Sequence, residues 1–424
     1  MRILWVTNIV MPTVSDALGE KASVFGGWLM GSAQYLKQSE DLKLAIATAY
    51  CGKELWHKSI DGIDYYLVPC HKKRTAYDKE MEKYWVTVNT QFMPDVVHIH
   101  GSEYPYGLSY VNACGSKNVV VSIQGMTSVY ARYYYAGLCK MDILKNITIA
   151  DLLWTKTIFG GHKEFVKRGK LEIELIKKIK HVIGRTSWDK MHTQAIQQGI
   201  DYHFCNETLR NSFYDGEWNY ENCEKHTIFV PQAWYPIKGL HKVIDALSIV
   251  KKLYPDVKLR IAGADITKQQ TIKQKLLLSG YGKIVLKKIQ KLNLQDNVSF
   301  TGLLNEEQMK REYLNANVFV CPSSIENSPN SLGEAQILGT PCIAAFVGGI
   351  GDMLKPEETG FIYRFDDTEM LAGYICDVFG MRESILQYCN KGRKAALERH
   401  DGATNCSTLI NIYNEIVYAD KKRI

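Results

Sequence analysis

The sequence lacks paired cysteine motifs and long apolar runs. Its eleven cysteines are scattered without a CxxC spacing, which argues against a disulfide framework or a zinc module and favours a reducing cytoplasm. No apolar run reaches about 18 residues, the length that a membrane helix needs. The apolar part of MRILWVTNIVMPT is shorter than the core of a signal peptide. We therefore expect a chain that neither spans a membrane nor is exported.

Charge is modest overall but uneven. The net charge of +7 over 424 residues gives no argument for nucleic acid. Between Lys163 and Lys190, however, nine Lys or Arg stand against four Asp or Glu, a local excess of 9 − 4 = +5. This basic segment predicts either contact with anionic lipid, possible for a protein at the inner face of the cell membrane, or a solvated helix face.

Short apolar runs alternate with amphipathic stretches along most of the chain, the pattern of a parallel sheet covered by helices. The fold class is therefore α/β, and the length suits two domains of about 200 residues each. The polar, weakly periodic segment YDGEWNYENCEK predicts the hinge. We expect a first domain over 1–222, a second over 223–402, and a last helix over 403–424 that returns to the first domain. The predicted strands cover 3–10, 42–50, 64–70, 95–101, 118–125, 181–186, 225–232, 257–265, 297–302, 318–324, 341–346 and 360–365.

The stretch ENSPNSLGEA follows the predicted strand VFVCPSS and places two carboxylates, Glu326 and Glu334, eight positions apart. Ser328 can cap a helix there, and Gly339 can close it. Such a helix presents backbone N–H groups to an anion, and Asn330, Ser331 and Leu332 would supply them. The two acids would then accept hydrogen bonds from hydroxyls on either side of a phosphate, which is the layout of a nucleotide sugar. The alternative is a capping box, Ser331 with Glu334, beside a solvated Glu326.

Lys238 and Gly239 stand directly before the amphipathic stretch LHKVIDALSIVKKLYP. A lysine at a helix start opposes the helix dipole but suits a bound anion, and the glycine lets the backbone approach closely. A solvated lysine is the alternative. Near the N-terminus, Gly26 and Gly27 open a helix and could admit a diphosphate, although a plain loop-to-helix turn explains them equally well.

In DVVHIHG the two histidines share one face of a strand. An HxH pair can bind zinc, but no third ligand of suitable spacing is nearby. We expect His98 in the core and His100 as a polar residue at the carboxyl end of the strand, where ligands of α/β sheets bind. No DxD pair occupies a suitable loop, so no metal site and no cofactor are expected.

Together these residues carry a resemblance that covers nearly the whole chain. The acid pair in its E-x7-E spacing, Lys238-Gly239, Gly263 in RIAGAD, Gly302 in VSFTG, and GTPCIAAFVGG are similar to the motifs of glycosyltransferase family 4. That family contains retaining enzymes of the GT-B fold, in which two Rossmann-like domains with parallel sheets face a cleft. Further stretches, GRTSWDK and QAWYPIKGLH, look similar to bacterial enzymes of capsule or exopolysaccharide synthesis.

The resemblance implies roles for individual residues. Glu326 and His100 would line the donor sugar site, Glu334 would contact the ribose, and Lys238 the diphosphate, assisted by Ser331 and Leu332. Many members carry an arginine where this chain has Gln232. Either Lys238 and the helix N–H groups suffice for the phosphate charge, or Arg185 or another cation enters from the facing domain.

The implied activity is hexosyl transfer from a UDP- or GDP-sugar to an acceptor such as a lipid-linked saccharide. The first domain would bind the acceptor and the second the donor. The rival interpretations are an epimerase of the same fold and a non-catalytic protein of the membrane surface.

Overall fold

The computed structural model describes residues 1–20, 27–39, 41–153 and 157–418. The chain forms two compact units. The first unit comprises Met1–Tyr130, Glu164–Arg210 and Arg399–Ile424, and the second comprises Ala131–Lys163 and Asn211–Glu398. Within the described ranges, none of the helices combines the length and apolar character that a membrane crossing requires.

The first unit is built on an eight-stranded sheet. Its strands run in the spatial order β3-β4-β2-β1-β5-β6-β7-β8, and all neighbours are parallel except the hairpin pair β3 and β4. The strands are β1 Arg2–Thr7, β2 Lys43–Tyr50, β3 Trp56–Ile60, β4 Ile63–Pro69, β5 Val96–His100, β6 Val119–Ser122, β7 His181–Gly184 and β8 Asp201–Phe204.

Helices cover this sheet, and its central strands are buried along their length, as expected for a parallel sheet with both faces packed. The last helix contacts β1 and β5, which lie far from it in the sequence. The Tyr413 hydroxyl accepts from Trp5 Nε1 at 3.0 Å and lies 2.6 Å from His98 Nδ1. The helices with residues in this unit are Pro12–Leu18, Gly27–Lys37, Met81–Phe92, Tyr106–Cys114, Thr127–Tyr130, Ile158–Lys178, Ser187–Ile196, Leu386–Arg399 and Gly402–Tyr418.

The second unit has a six-stranded sheet whose neighbours are all parallel, in the order β11-β10-β9-β12-β13-β14. Its strands are β9 Glu224–Val230, β10 Lys258–Ile261, β11 Val298–Phe300, β12 Ala316–Cys321, β13 Cys342–Ala345 and β14 Phe361–Tyr363. Its remaining helices are Lys140–Lys145, Ile149–Leu153, Leu240–Val250, Ile272–Leu277, Gly280–Lys291, Glu306–Asn315, Asn330–Leu338, Ile350–Met353 and Thr368–Met381, with 3₁₀ turns at Ala131–Tyr133, Asn211–Phe213, Pro236–Lys238 and Arg382–Ile385.

The amphipathic stretch after Gly239 forms the helix Leu240–Val250, as predicted. Every residue of its apolar stripe is fully buried, because the three-and-four spacing places the stripe on one face. That stripe consists of Leu240, Val243, Ile244, Leu247 and Val250.

The sequence analysis did not predict two of the strands. β3 and β8 lie at the two edges of the first sheet and bury few of their side chains. Apolar runs and strict alternation are the signals that identify strands from sequence, and a solvated edge strand such as β3 or β8 carries neither. The twelve predicted strands all occur, most of them shortened at their carboxyl ends.

The bounds of the units differ from the predicted ones in three places, one of which is the end of the second unit at Glu398 instead of 402. The expected hinge segment is packed into the second unit, where buried Trp218 donates from Nε1 to the Ala316 carbonyl at 2.7 Å. Residues Ala131–Lys163 also belong to the second unit. His241 Nε2 lies 2.9 Å from the Ala136 carbonyl there. Polarity and weak periodicity suggested a linker, but one buried tryptophan is enough to fix such a segment.

Candidate functional site

The candidate site of the second unit lies where β9 and β12 end. These strands are parallel neighbours, so their carboxyl ends meet at one edge of the sheet. Lys238 follows β9 in the turn Pro236–Lys238, and Glu326 follows β12. The sequence separates these two side chains by 88 positions, and the sheet brings them together.

Lys238 and Glu326 form an ion pair. Lys238 Nζ donates to Glu326 Oε1 at 2.5 Å, and the Ser323 hydroxyl donates to the same oxygen at 2.7 Å. The two charged side chains are only 17% and 9% exposed. Burial acts to lower the pKa of Lys238, but the charge and hydrogen bond of Glu326 outweigh it and hold that pKa above its ordinary value. Lys238 is therefore a cation at every pH of interest.

Glycines allow the backbones of the loops that carry Lys238 and Glu326 to approach closely. A Cβ on Gly239, whose φ is +69°, would lie 1.8 Å from the Pro322 carbonyl oxygen, so only glycine fits there. Ser324 N also donates to the Ile237 carbonyl at 2.8 Å. On the other side of Glu326, a Cβ on Gly348 would lie 1.8 Å from the Glu326 carbonyl oxygen. The backbone of Glu326 is thus closely packed on both sides.

The helix Asn330–Leu338 begins at the same edge of the sheet. Its N-cap is Pro329, without a side-chain cap, so the predicted cap at Ser328 is wrong by one position. Leu332 N donates to the Pro329 carbonyl at 3.0 Å, and this N–H group is therefore not the open donor that we expected. Asn330 and Ser331 are partly exposed at the helix start. Gly339 closes the helix in the left-handed conformation, as predicted.

Glu334 lies within the body of this helix. It is buried, and its Oε2 accepts from the Tyr313 hydroxyl at 3.3 Å. Ser331 lies inside the helix rather than at its cap. The capping-box alternative is therefore wrong, and Glu334 is a buried acid within the core of the second unit.

The two predicted glycines beyond β10 and β11 pair with each other. Gly263 N donates to the Gly302 carbonyl at 2.9 Å, and Gly302 N returns a bond at 3.1 Å. A Cβ on Gly263 would lie 2.5 Å from Trp234 Nε1, so the half-exposed indole covers this pair. Gln232 is partly exposed in the loop after β9.

A cavity of about 370 Å³ lies at the carboxyl ends of β12, β13 and β14. Ser324, two residues before Glu326, contributes to its wall, and its hydroxyl donates to the Tyr133 carbonyl at 3.1 Å. Tyr133 and Phe346 present exposed rings to it, at 47% and 59% exposure. No sequence signal assigned Tyr133 to this unit, because contact over a long sequence separation leaves no local pattern.

In the first unit the HxH strand is β5. His98 is a core residue as predicted, because it lies 2.5 Å from the Ser122 hydroxyl and 2.6 Å from that of Tyr413. Burial lowers its pKa to about 3. His100 is also buried, with its ring 4.6 Å from that of Trp5 and 3.8 Å from that of His98. Burial and the neighbouring His98 hold the pKa of His100 well below its usual range, so it is neutral.

Arg185 lies near His100 in the first unit, on the wall of the same small pocket. Its Nη1 lies 2.6 Å from Glu207 Oε2, and both side chains are nearly buried. Arg185, one of the cations considered as a replacement for the missing arginine at Gln232, is therefore already paired with an acid. Gly26 lies outside the described residues, and Gly27 begins the helix Gly27–Lys37.

The sequence analysis missed Glu103, an acid just beyond β5. Burial, followed by the neighbouring Glu172, raises the pKa of Glu103 to about 7. Glu172 itself is held by Ser102, Thr127 and Ser128 at 2.5–3.1 Å. The position of Glu103 in the strand-end stretch HGSE was a usable signal. Among the described residues no group of three or more His, Cys, Asp or Glu is arranged to hold a metal ion.

Comparison with known proteins shows which proteins the chain resembles. Residues 219–395 match the sequence model of the family described as glycosyl transferases group 1. The chain is 29% identical over 181 residues to the capsular polysaccharide biosynthesis glycosyltransferase CapM of Staphylococcus aureus, covering 42% of this chain and 43% of that protein. It is 26% identical over 175 residues to the D-inositol 3-phosphate glycosyltransferase of Saccharomonospora viridis, covering 39% and 40%. The chain spans about half the length of the curated relatives it matches.

Solved structures show the fold. Sucrose-phosphate synthase from Thermosynechococcus elongatus superposes with a TM-score of 0.71 at 14% identity, covering 99% of this chain and 100% of the other. HepE of Anabaena, solved in complex with UDP and glucose, gives 0.63 at 14% identity over 98% and 100%. The chain therefore has the GT-B fold, and its resemblance to glycosyltransferases of group 1 is confirmed.

Proposed function

We propose that this chain is a retaining glycosyltransferase of family 4. It transfers a hexosyl group from a UDP- or GDP-sugar to an acceptor hydroxyl, on a lipid-linked or growing polysaccharide of capsule or exopolysaccharide synthesis. The observation that carries the proposal is the buried pair of Lys238 and Glu326 at the strand ends of a domain that resembles group 1 glycosyl transferases.

The donor's diphosphate takes the place beside Lys238. When the bond between the anomeric carbon and the diphosphate oxygen breaks, negative charge grows on the leaving group, and a fixed cation stabilises it. Ser331 at the start of the helix Asn330–Leu338 adds the positive end of the helix dipole. This mechanism requires neither a metal ion nor a cofactor.

Glu326 has one partner in the free protein and another in the complex with the donor. In the free protein its carboxylate neutralises Lys238, and a bound diphosphate takes over that neutralisation. The carboxylate then becomes an acceptor for hydroxyls of the donor sugar. Glu334 accepts from the ribose hydroxyls in this proposal, after exchanging its bond to Tyr313.

The acceptor oxygen bonds to the anomeric carbon on the face that the diphosphate leaves, and the hydroxyl proton passes to the diphosphate product. Retention rests on the resemblance to family 4. His100 is neutral and buried, so in this proposal it does not donate a proton. The cavity at Tyr133 and Phe346 offers aromatic rings, on which sugar rings can stack.

A panel of UDP- and GDP-sugars tests the proposal. Purified protein should release UDP or GDP slowly from at least one donor, and faster once an acceptor saccharide is present. An epimerase would interconvert the sugars without releasing the nucleotide, and a non-catalytic protein would do neither. Loss of nucleotide release in Glu326→Gln, with unchanged release in Glu358→Gln at an exposed glutamate of the same unit, would tie the activity to this site.

A lipid-linked acceptor would place the protein at the inner face of the cell membrane. The basic segment Lys163–Lys190 is either a contact with anionic lipid or a solvated helix face.

A further inference from the structure

Three short helices expose large apolar side chains on the second unit. We call these residues the apolar patch. Each is between 47% and 80% exposed, and clusters of exposed apolar side chains mark interaction surfaces. The patch consists of Met141, Leu144, Ile149, Leu152, Leu153, Ile272, Leu276 and Leu277.

Neighbouring helices pack behind the patch. The helix Ile149–Leu153 packs against the helix Ile272–Leu277, and Lys140–Lys145 packs against Gly280–Lys291. Buried Asp151 accepts from Gly280 N at 2.9 Å and so ties the segment to the start of that last helix. The inner sides of these helices are therefore packed against neighbouring helices, while the apolar side chains of the patch remain exposed.

Exposed lysines occur in the same stretches of the chain as the patch residues. Within 140–153 and 268–277 the exposed basic residues outnumber the exposed acids, since Asp142 is the exposed acid of these two ranges. Apolar side chains flanked by lysines are the composition of a surface that lies in the interface of an anionic bilayer. The lysines are Lys140, Lys145, Lys268, Lys273 and Lys275.

The basic segment Lys163–Lys190 lacks such an apolar component. Two of its cations are buried and engaged, Arg185 with Glu207 and Arg168 with the Glu103 carbonyl at 2.7 Å. The one large apolar side chain that it exposes is Val166, at 37%. Charge without apolar insertion is screened by salt, so this segment would hold a membrane weakly.

We propose that the apolar patch docks the second unit onto an anionic lipid bilayer. The inference rests on the proposed function for its purpose, because a lipid-linked acceptor would be presented at that surface. Docking itself requires no catalysis. A second copy of the chain is the poorer occupant, because a symmetric pairing would bring two sets of lysines face to face.

Vesicle flotation tests the proposal. The full chain is mixed with vesicles of phosphatidylglycerol and phosphatidylcholine, or of phosphatidylcholine alone, and the floated fraction is measured. The double variant Leu152→Asn/Leu153→Asn should bind anionic vesicles at least about tenfold more weakly than the wild type. Leu253→Asn is the matched control, because Leu253 is 70% exposed elsewhere in the same unit, close to the 71% of Leu153. It should bind as the wild type does.

Several results would overturn the proposal. These are no binding of the wild type to anionic vesicles, equal binding of the double variant, or loss of binding only in Lys177→Ala/Lys178→Ala of the basic segment. A wild type that dimerises through the patch, seen as a fall in mass in the double variant by light scattering, would reassign the surface to a second copy. Nucleotide release without vesicles should be unchanged in the double variant, so failure here is separate from failure of the proposed glycosyl transfer.

Discussion

Removing the cation of the ion pair is the most informative perturbation of the site. Lys238→Ala leaves the Glu326 carboxylate with Ser323 as its remaining hydrogen-bond donor in a place that is 9% exposed. An uncompensated charge at so buried a position costs on the order of 3 kcal/mol of the free energy of unfolding. The same change removes the positive charge from the leaving diphosphate, which lowers the rate of transfer roughly 100- to 1000-fold.

The two effects separate in a double variant. Adding Glu326→Gln to Lys238→Ala removes the stranded charge, so most of the lost stability returns. The rate of UDP or GDP release stays low, because no cation has been restored. Urea unfolding measures the first quantity, and the initial rate of nucleotide release measures the second.

Lys288→Ala is the matched control. Lys288 also meets a carboxylate, that of Asp245, at 2.5 Å in the same unit, but away from the strand ends. Its loss should change the rate less than about twofold, since nothing in that pair faces the leaving group. A Lys238→Ala enzyme that keeps its rate within about tenfold of the wild type while losing stability would refute the reasoning and leave the pair a purely structural one.

Three further predictions concern other parts of the fold. Ionisation of Glu103 is unfavourable in the folded state, since its pKa is raised from 4.5 to about 7. The wild type should therefore lose stability relative to Glu103→Gln as pH rises from 4.5 to 7, by no more than about 3 kcal/mol, in thermal melts at several pH values; a pH-independent difference would contradict this. Gly239→Ala should destabilise the chain by more than Gly62→Ala, because both have positive φ but only the first meets a backbone oxygen; equal urea midpoints would contradict it. Trp218→Phe should cost on the order of 1 kcal/mol in urea unfolding, through its bond to the Ala316 carbonyl, and no loss would show that the segment behaves as a linker.

Much of the fold could be predicted because it depends on local patterns. Buried parallel strands are continuous apolar runs, and the helix Leu240–Val250 is a regular apolar stripe. Both are visible within a dozen residues of sequence. The edge strands β3 and β8 are not, because solvated strands share their composition with loops.

The candidate site was predictable in its members but not in their arrangement. Lys238 and Glu326 were each identified as strand-end residues, and parallel pairing of β9 with β12 turns that into proximity. The direct ion pair between them could be recognised only from the positions of the side chains. Arg185 was named for its charge, but its neutralisation by Glu207 depends on a partner 22 positions away on a different element. The return of Ala131–Lys163 to the second unit likewise has no local signal.

Calorimetric titration of the nucleotides tests the central claim most directly. UDP and GDP are titrated into the wild type and into Lys238→Ala, with Lys288→Ala as the control. The account predicts binding of at least one nucleotide to the wild type and to Lys288→Ala, and affinity at least about tenfold weaker for Lys238→Ala. Equal affinity for wild type and Lys238→Ala, or no binding of either nucleotide, would contradict it.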